Sequence, residues 1–163
     1  MLIALLLAAT VRGPGDVESL TASADAVVHA RVLRMSSAWA SGGRQIFTTV
    51  VLKALEIWKG EPGAEVTVVV PGGDVGDISQ TVQGVAEFQD GEEVVVFLQR
   101  RGPSVFAVER LALGKFSIEA EGTMPKRALR DRRGLACQGC RRGEADQLSL
   151  DELRARVLGS ALR

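Results

Sequence analysis

The sequence is poor in the residues that most often carry out catalysis. Its 163 residues include one histidine, two cysteines and no tyrosine, and 4% are aromatic. A catalytic histidine would need a carboxylate, cysteine or serine partner at a recognisable spacing; His29 has none, so we interpret it as a residue on a strand face. A nucleophile elbow, a histidine-rich metal set and a Walker loop are also absent as sequence motifs. We therefore predict that the protein is not an enzyme and uses no cofactor or metal.

The chain also has no excess of charge of either sign. Twenty Lys and Arg residues balance twenty Asp and Glu residues, so nothing attracts the whole molecule to nucleic acid or to an anionic membrane. The few aromatic residues argue against a stacking surface for single strands. The charges are nevertheless uneven, because residues 1–124 hold 10 basic and 15 acidic residues, whereas residues 125–163 hold 10 basic and 5 acidic. We expect no nucleic-acid partner, and a basic tail on a mildly acidic body.

No apolar run is long enough to span a bilayer as a helix. The run MLIALLLAAT, residues 1–10, has the length of a signal-peptide core and ends in small residues, although no basic residue precedes it. We interpret it as a signal peptide cleaved after Ala9 or Thr10; the alternative is a buried first strand or helix. This interpretation predicts a secreted, periplasmic or cell-envelope protein.

The clearest structural pattern is a β-hairpin over residues 46–73. Two runs rich in β-branched residues, 50–58 and 66–70, are bounded by Gly and Pro. A short helix capped by Asp16 and a strand over residues 26–34 precede the hairpin, and further short strands follow it. The pattern predicts a mainly β fold: a small five- or six-stranded OB-like barrel over residues 11–118, with a short N-terminal helix. A β-sandwich is the alternative.

Two connections carry the candidate binding residues. Trp39 lies in a polar connection, where it either packs over the barrel end or is exposed as a contact residue. The loop PGGDVGD, residues 71–77, matches neither a phosphate-binding loop nor an EF-hand. The candidate binding residues are Trp39, Pro71, Gly72, Gly73 and Asp74. The sequence leaves open whether four carboxylates converge in space, namely Asp74, Asp77, Glu87 and Asp90.

The composition changes after residue 118. Residues 119–147 are rich in Gly and Arg and poor in apolar residues, which predicts an exposed basic extension that includes Arg130. Within it, Cys137 and Cys140 form a lone CxxC. A redox dithiol would need a helix in a βαβ unit, and a zinc site would need two further ligands. A local disulfide agrees best with export.

The last segment, residues 148–163, has the pattern of an amphipathic helix. Ser149 and Glu152 form a capping box, and apolar residues recur on one face. We predict that this C-terminal helix docks on the barrel. The alternative is that it binds a separate partner.

Three segments resemble a known family. ADAVVHARV (residues 24–32), IWKG (57–60) and VTVVVPGG (66–73) resemble the first half of netrin-like modules, which include the tissue inhibitors of metalloproteases. They also resemble small exported bacterial proteins of unassigned role. The resemblance implies an OB fold and a protein partner, with a protease as one possibility.

The resemblance does not extend to the cysteine on which those inhibitors depend. Their mature N-terminal cysteine binds the protease zinc, and this chain has no cysteine before Cys137. An inhibitor of this type would therefore have to bind as a wedge or by a strand edge. The sequence predicts an exported, non-catalytic protein-binding module, with a protease-inhibitor-like domain as one form of it. The alternative is a structural or assembly protein of the cell envelope that uses its basic tail and terminal helix.

Overall fold

A computed structural model describes residues 7–8, 10–12, 15–131, 136–138 and 146–162, with side chains in 15–131 and 146–162. The helices of this part of the chain are α1 (Val17–Ser23) and α2 (Leu150–Ala161), and Leu111–Gly114 form one turn of 3₁₀ helix. Its strands are β1 (Leu7–Ala8), β2 (Thr10–Arg12), β3 (Ala26–Trp39), β4 (Ile46–Lys59), β5 (Glu65–Pro71), β6 (Gly73–Val75), β7 (Ile78–Gln80), β8 (Val82–Gln83), β9 (Glu93–Arg100), β10 (Val105–Val108), β11 (Lys115–Glu119), β12 (Arg127–Leu129), β13 (Ala136–Gln138) and β14 (Gln147–Ser149).

Five strands close into a barrel. The order around it is β3, β4, β5, β10 and β9, and β9 pairs again with β3. The β5–β10 pair is parallel and the other four pairs are antiparallel. The predicted mainly β fold, with a small OB-like barrel, a short N-terminal helix and a C-terminal helix, is confirmed.

Apolar side chains, mostly Val and Ala with a few Leu and Phe, fill the barrel interior. Alternate residues of each strand face inward, as the period of two along a strand requires. In β9 the inward residues are Val94, Val96 and Leu98, all fully buried. Phe88, from the segment that leads into β9, joins this core at one end of the barrel.

A second core lies outside the barrel, under the two helices. The opposite face of β9 presents Val95 and Phe97, which pack with Phe116 of β11 and with residues of both helices. The continuous apolar run of β9 is explained because both of its faces are covered. Leu153 and Val157 of α2 are fully buried here, which confirms that the C-terminal helix docks on the barrel.

The IWKG motif has a structural role in joining α1 to the barrel. Lys59 Nζ donates hydrogen bonds to the carbonyl oxygens of Thr21 and Ala24, at the C-terminal end of α1 (2.6 and 2.7 Å). Gly60 has a φ of 75°, and a Cβ there would overlap the carbonyl oxygen of Asp25. The lysine thus satisfies helix carbonyls, and the glycine allows the backbone to pass close by.

The prediction of an exposed basic extension is wrong for Ala128 and Arg130. Strand β12 pairs with β11 on one side and with β14 on the other, and Ala128 is fully buried. The Arg130 side chain is 1% exposed and lies over the Phe116 ring. The sheet edge and the aromatic ring give this segment partners that its own composition does not reveal.

Two predictions lie outside the described residues. Cys137 belongs to β13, which pairs in parallel with β2, but Cys140 and both cysteine side chains are not described. Of residues 1–10, only 7, 8 and 10 are described, so the signal-peptide prediction is not tested. Neither described helix has the length and apolar character needed to cross a bilayer.

Candidate functional site

A cleft opens at one end of the barrel, where the β3–β4 hairpin extends past β9. Strand β9 pairs with β3 only over Ala26–Arg31, whereas β3 pairs with β4 as far as Trp39, so the far end of the hairpin projects as one wall. The β6–β7 hairpin and residues 81–90 form the rest of this barrel-end cleft, whose volume is about 530 Å³. Its lining residues are Met35, Ser36, Ser37, Thr48, Val50, Val70, Pro71, Gly72, Gly73, Asp74, Ser79, Gln80, Thr81, Val82, Val85, Ala86, Glu87, Phe88 and Asp90.

Hydroxyl groups join the β6–β7 hairpin to the long strands. The Ser37 and Thr48 hydroxyl oxygens are 2.8 Å apart, and Thr48 Oγ1 donates a hydrogen bond of 2.8 Å to the Gly72 carbonyl. Gly73 has a φ of 133°, and a Cβ at this position would overlap both hydroxyl oxygens. Because glycine lacks that atom, the chain can turn against the long strands and form the cleft.

Gln80 holds the other end of the same hairpin. Its Oε1 accepts a hydrogen bond from the Ile46 amide (2.6 Å), and its Nε2 donates one to the Arg44 carbonyl (3.2 Å). The Gly72 amide donates to the Ile46 carbonyl at 2.8 Å. The hairpin is therefore fixed to the start of β4 at both of its ends, and this wall of the cleft is preformed.

The cleft collects negative charge. Asp74, Glu87 and Asp90 line it, and its described lining contains no Lys, Arg or His. Asp77 is exposed in the β6–β7 turn and is not part of the lining. Behind residues 81–90, Lys115 Nζ is paired with Glu92 at 2.6 Å. The arrangement attracts a positively charged group, since walls of one charge sign focus the field within a cleft.

Four of the five predicted binding residues lie together in this cleft. Pro71, Gly72, Gly73 and Asp74 line it, and Trp39 does not. Trp39 is the last residue of β3, which corrects its predicted place in a loop, because β3 keeps pairing with β4 as far as Ile46. Its side chain is 37% exposed, and Ile78 on the facing hairpin is 47% exposed. Trp39 and Ile78 are thus exposed apolar residues on the two hairpins that flank the cleft, and neither is among its lining residues.

The third side of the cleft, residues 81–90, contains one regular element, the two-residue strand β8. Ala86 and Phe88 are buried as a plug in the barrel end. Their apolar character was readable, but their position depends on contacts with distant strands.

His29 belongs to a separate polar cluster on the outer face of the barrel. Its Nε2 lies 2.7 Å from Glu93 Oε1, and Glu93 also accepts hydrogen bonds from Arg31 and Lys126. Burial raises the pKa of Glu93, but hydrogen bonds and charge from Lys126 and His29 outweigh it and hold the pKa below its usual range. This cluster ties β3, β9 and the segment before β12 together. His29 is a strand-face residue, as predicted.

Within the described residues, no group of three or more His, Cys, Asp or Glu side chains is placed to hold a metal ion. Comparison of the chain with family models, curated proteins and solved structures found no match. The resemblance to netrin-like modules therefore stays a prediction.

Proposed function

We propose that this protein is an exported, non-catalytic module that binds a segment of a partner protein in the barrel-end cleft. The observation that carries the proposal is the gathering of Pro71, Gly72, Gly73 and Asp74 in one preformed cleft. Trp39 and Ile78 are exposed apolar residues on the hairpins that flank the cleft, and they add contact surface of the kind that protein interfaces use. A preformed wall also lowers the entropy lost on binding.

The alternative, a structural or assembly protein of the envelope, is less well supported. It needs the terminal helix as a contact surface, but the apolar residues Leu153 and Val157 of α2 are fully buried in the second core. The arginines of α2 are also engaged, because Arg154 pairs with Glu56 and Arg156 pairs with Glu18. The helix thus has a structural partner within the chain.

The proposal is tested by placing a photo-crosslinking residue at Thr81 in the cleft or at Glu61, just after the C-terminal end of β4. Both positions are exposed, so neither change removes core packing. We expect a protein in the native extracellular or envelope fraction to crosslink to position 81 and not to position 61. Equal crosslinking at both positions, or none at position 81, would contradict the proposal.

The affinity of charge-reversal variants for the purified partner then provides a second test. Asp74→Lys reverses a cleft charge and should weaken binding about tenfold, whereas Glu61→Lys makes the same reversal outside the cleft and should leave the affinity unchanged. The resemblance to inhibitor modules adds metalloproteases as the first partner class to assay. If the protein slows a metalloprotease and Asp74→Lys removes the effect, the inhibitor form of the proposal is supported. If every rate is unchanged, that form fails.

A further inference from the structure

Strand β8 is a short strand on the edge of the barrel-end cleft. It comprises Val82–Gln83, and Val82 is also a lining residue. Its only strand partner in the described chain is β1, Leu7–Ala8, which runs parallel to it with Leu7 opposite Val82 and Ala8 opposite Gln83. An extended segment of this chain therefore lies along the cleft edge.

This pairing is short and stands apart from the main sheet. The β1–β8 sheet has two strands of two residues each and does not join the eight-stranded sheet. A small two-stranded pairing is marginally stable in water, because few hydrogen bonds offset the entropy of ordering the chain. Another extended segment can therefore replace β1 with a small loss of free energy.

We infer that β8 is a strand-addition site that exchanges β1 for an extended, basic segment of a partner protein. The cleft that Val82 lines also contains Asp74, Glu87 and Asp90, and alternate side chains of an extended chain point to the same side. Lys or Arg at alternate positions would then meet these carboxylates. Main-chain hydrogen bonds supply affinity, and the carboxylates select the charge of the segment.

The inference rests on the proposed function and adds β1 as a competitor of the partner segment for β8. While β1 occupies β8, only the fraction of molecules with β8 open can bind a partner, and the apparent affinity falls by that fraction. If β1 is in place in nine molecules of ten, the partner binds about tenfold more weakly. Under the export prediction, cleavage after Ala9 or Thr10 removes β1, so β1 competes only in the uncleaved chain and β8 is open in the mature protein.

The test uses the full chain and a fluorescent peptide of alternating Val and Lys as the probe. Two matched peptides serve as controls: one has Glu in place of Lys, and the other has N-methylated amides at alternate positions and cannot complete a strand ladder. We expect the Val–Lys peptide to bind at least tenfold more tightly than either control. Equal binding of the N-methylated peptide would overturn strand addition, and equal binding of the Glu peptide would overturn the charge selection.

The competitor is tested with a variant that removes the amide donors of β1, Leu7→Pro with Ala8→Pro. This variant should bind the Val–Lys peptide several-fold more tightly than the unchanged chain, and an unchanged affinity would contradict the role of β1. Hydrogen exchange on the unchanged chain gives a readout that does not depend on how the variant folds. Added peptide should deprotect the amides of residues 7–8 and keep residues 82–83 protected; the reverse would overturn the exchange.

Failure of this inference can be told apart from failure of the proposed function. If Asp74→Lys weakens the natural partner and Gln83→Pro does not, the partner binds the cleft without pairing to β8. In that case the proposed function stands and the inference falls. If neither substitution changes partner binding, both fall.

Discussion

At the scale of single residues, Arg130 joins three parts of the chain. Its Nη1 donates a hydrogen bond of 2.7 Å to the Gly15 carbonyl, and its backbone amide donates one of 2.8 Å to the Asp146 carbonyl. Its guanidinium carbon lies 4.4 Å from the centroid of the Phe116 ring. A buried charge with these contacts fixes the start of the described body against its sheet.

We expect Arg130→Met to lower the free energy of unfolding by about 3 kcal/mol, because it removes a buried hydrogen-bonded charge but keeps the length of the apolar stem. Urea denaturation followed by circular dichroism measures the change. The matched control is Arg127→Met, three residues earlier in β12, where the arginine side chain is 41% exposed. That control should change stability by less than about 0.5 kcal/mol, and equal effects would contradict a special role for Arg130.

At the scale of elements, α1 shows how a short helix is held. It has seven residues, too few to persist alone in water. Asp16 caps its N-terminus by accepting the Ser19 amide at 2.7 Å, and Lys59 binds carbonyls at its other end. Val17 and Leu20 are buried in the second core. The helix therefore depends on one strand residue more than 30 positions along the chain.

Lys59→Met should destabilise the protein by about 1–3 kcal/mol, since hydrogen bonds from a charged group to helix carbonyls are lost. Lys53→Met provides the control, because Lys53 is exposed on the same strand. Thermal unfolding of both variants under the same conditions makes the comparison. If Lys53→Met lowers stability as much as Lys59→Met, the loss arises from changing a lysine of β4 and not from the missing hydrogen bonds to the helix end.

At the scale of the whole molecule, acidic groups connect the layers. Glu93 links barrel strands to the segment before β12, and Glu56 of β4 pairs with Arg154 of α2. The hydrogen bond from Arg154 lowers the pKa of Glu56 from its usual range, and the pKa of Glu93 is also lowered. A carboxylate with a lowered native pKa stabilises the fold above its unfolded-state value, and this stabilisation is lost as the pH falls through the native value.

We therefore expect stability to decline as the pH falls below about 4.5. Glu93→Gln should reduce the loss of unfolding free energy between pH 7 and pH 4 by roughly 1 kcal/mol, the scale of one hydrogen bond to a charged group. Glu56→Gln should have a smaller effect, because the Glu56 side chain is 40% exposed and solvent screens its pair. Denaturant titrations at pH 7 and pH 4 measure this loss for each variant and for the unchanged chain. If Glu93→Gln loses as much stability as the unchanged chain, the prediction is contradicted.

Local patterns in the sequence were sufficient for the elements and for most of the fold. The cap at Asp16, the β-branched runs of β4 and β5 and the capping box at Ser149 each act within a few neighbouring residues. The terminal helix could be predicted to dock because its apolar residues share one face.

The cleft could be predicted only in part. The glycines of residues 71–74 marked a turn, but the hydroxyls of Ser37 and Thr48 that hold the turn are far away in sequence and carry no pattern. The burial of Arg130 depends on Phe116 and Gly15, and its neighbours in sequence suggested solvent. Long-range contacts of this kind are set by the barrel closure and not by local propensity.

Strand β9 forms a wall of both cores, and this affects the order of events during synthesis. Val94 and Val96 face the barrel interior, whereas Val95 and Phe97 face the helices. A nascent chain that ends before residue 93 has the β3–β4–β5 meander but neither a closed barrel nor a floor for the helical layer. Neither core can be completed until this strand has emerged from the ribosome. Closing the barrel then also requires β10, and completing the helical layer requires β11 and α2, so both cores are finished only when most of the chain has been made.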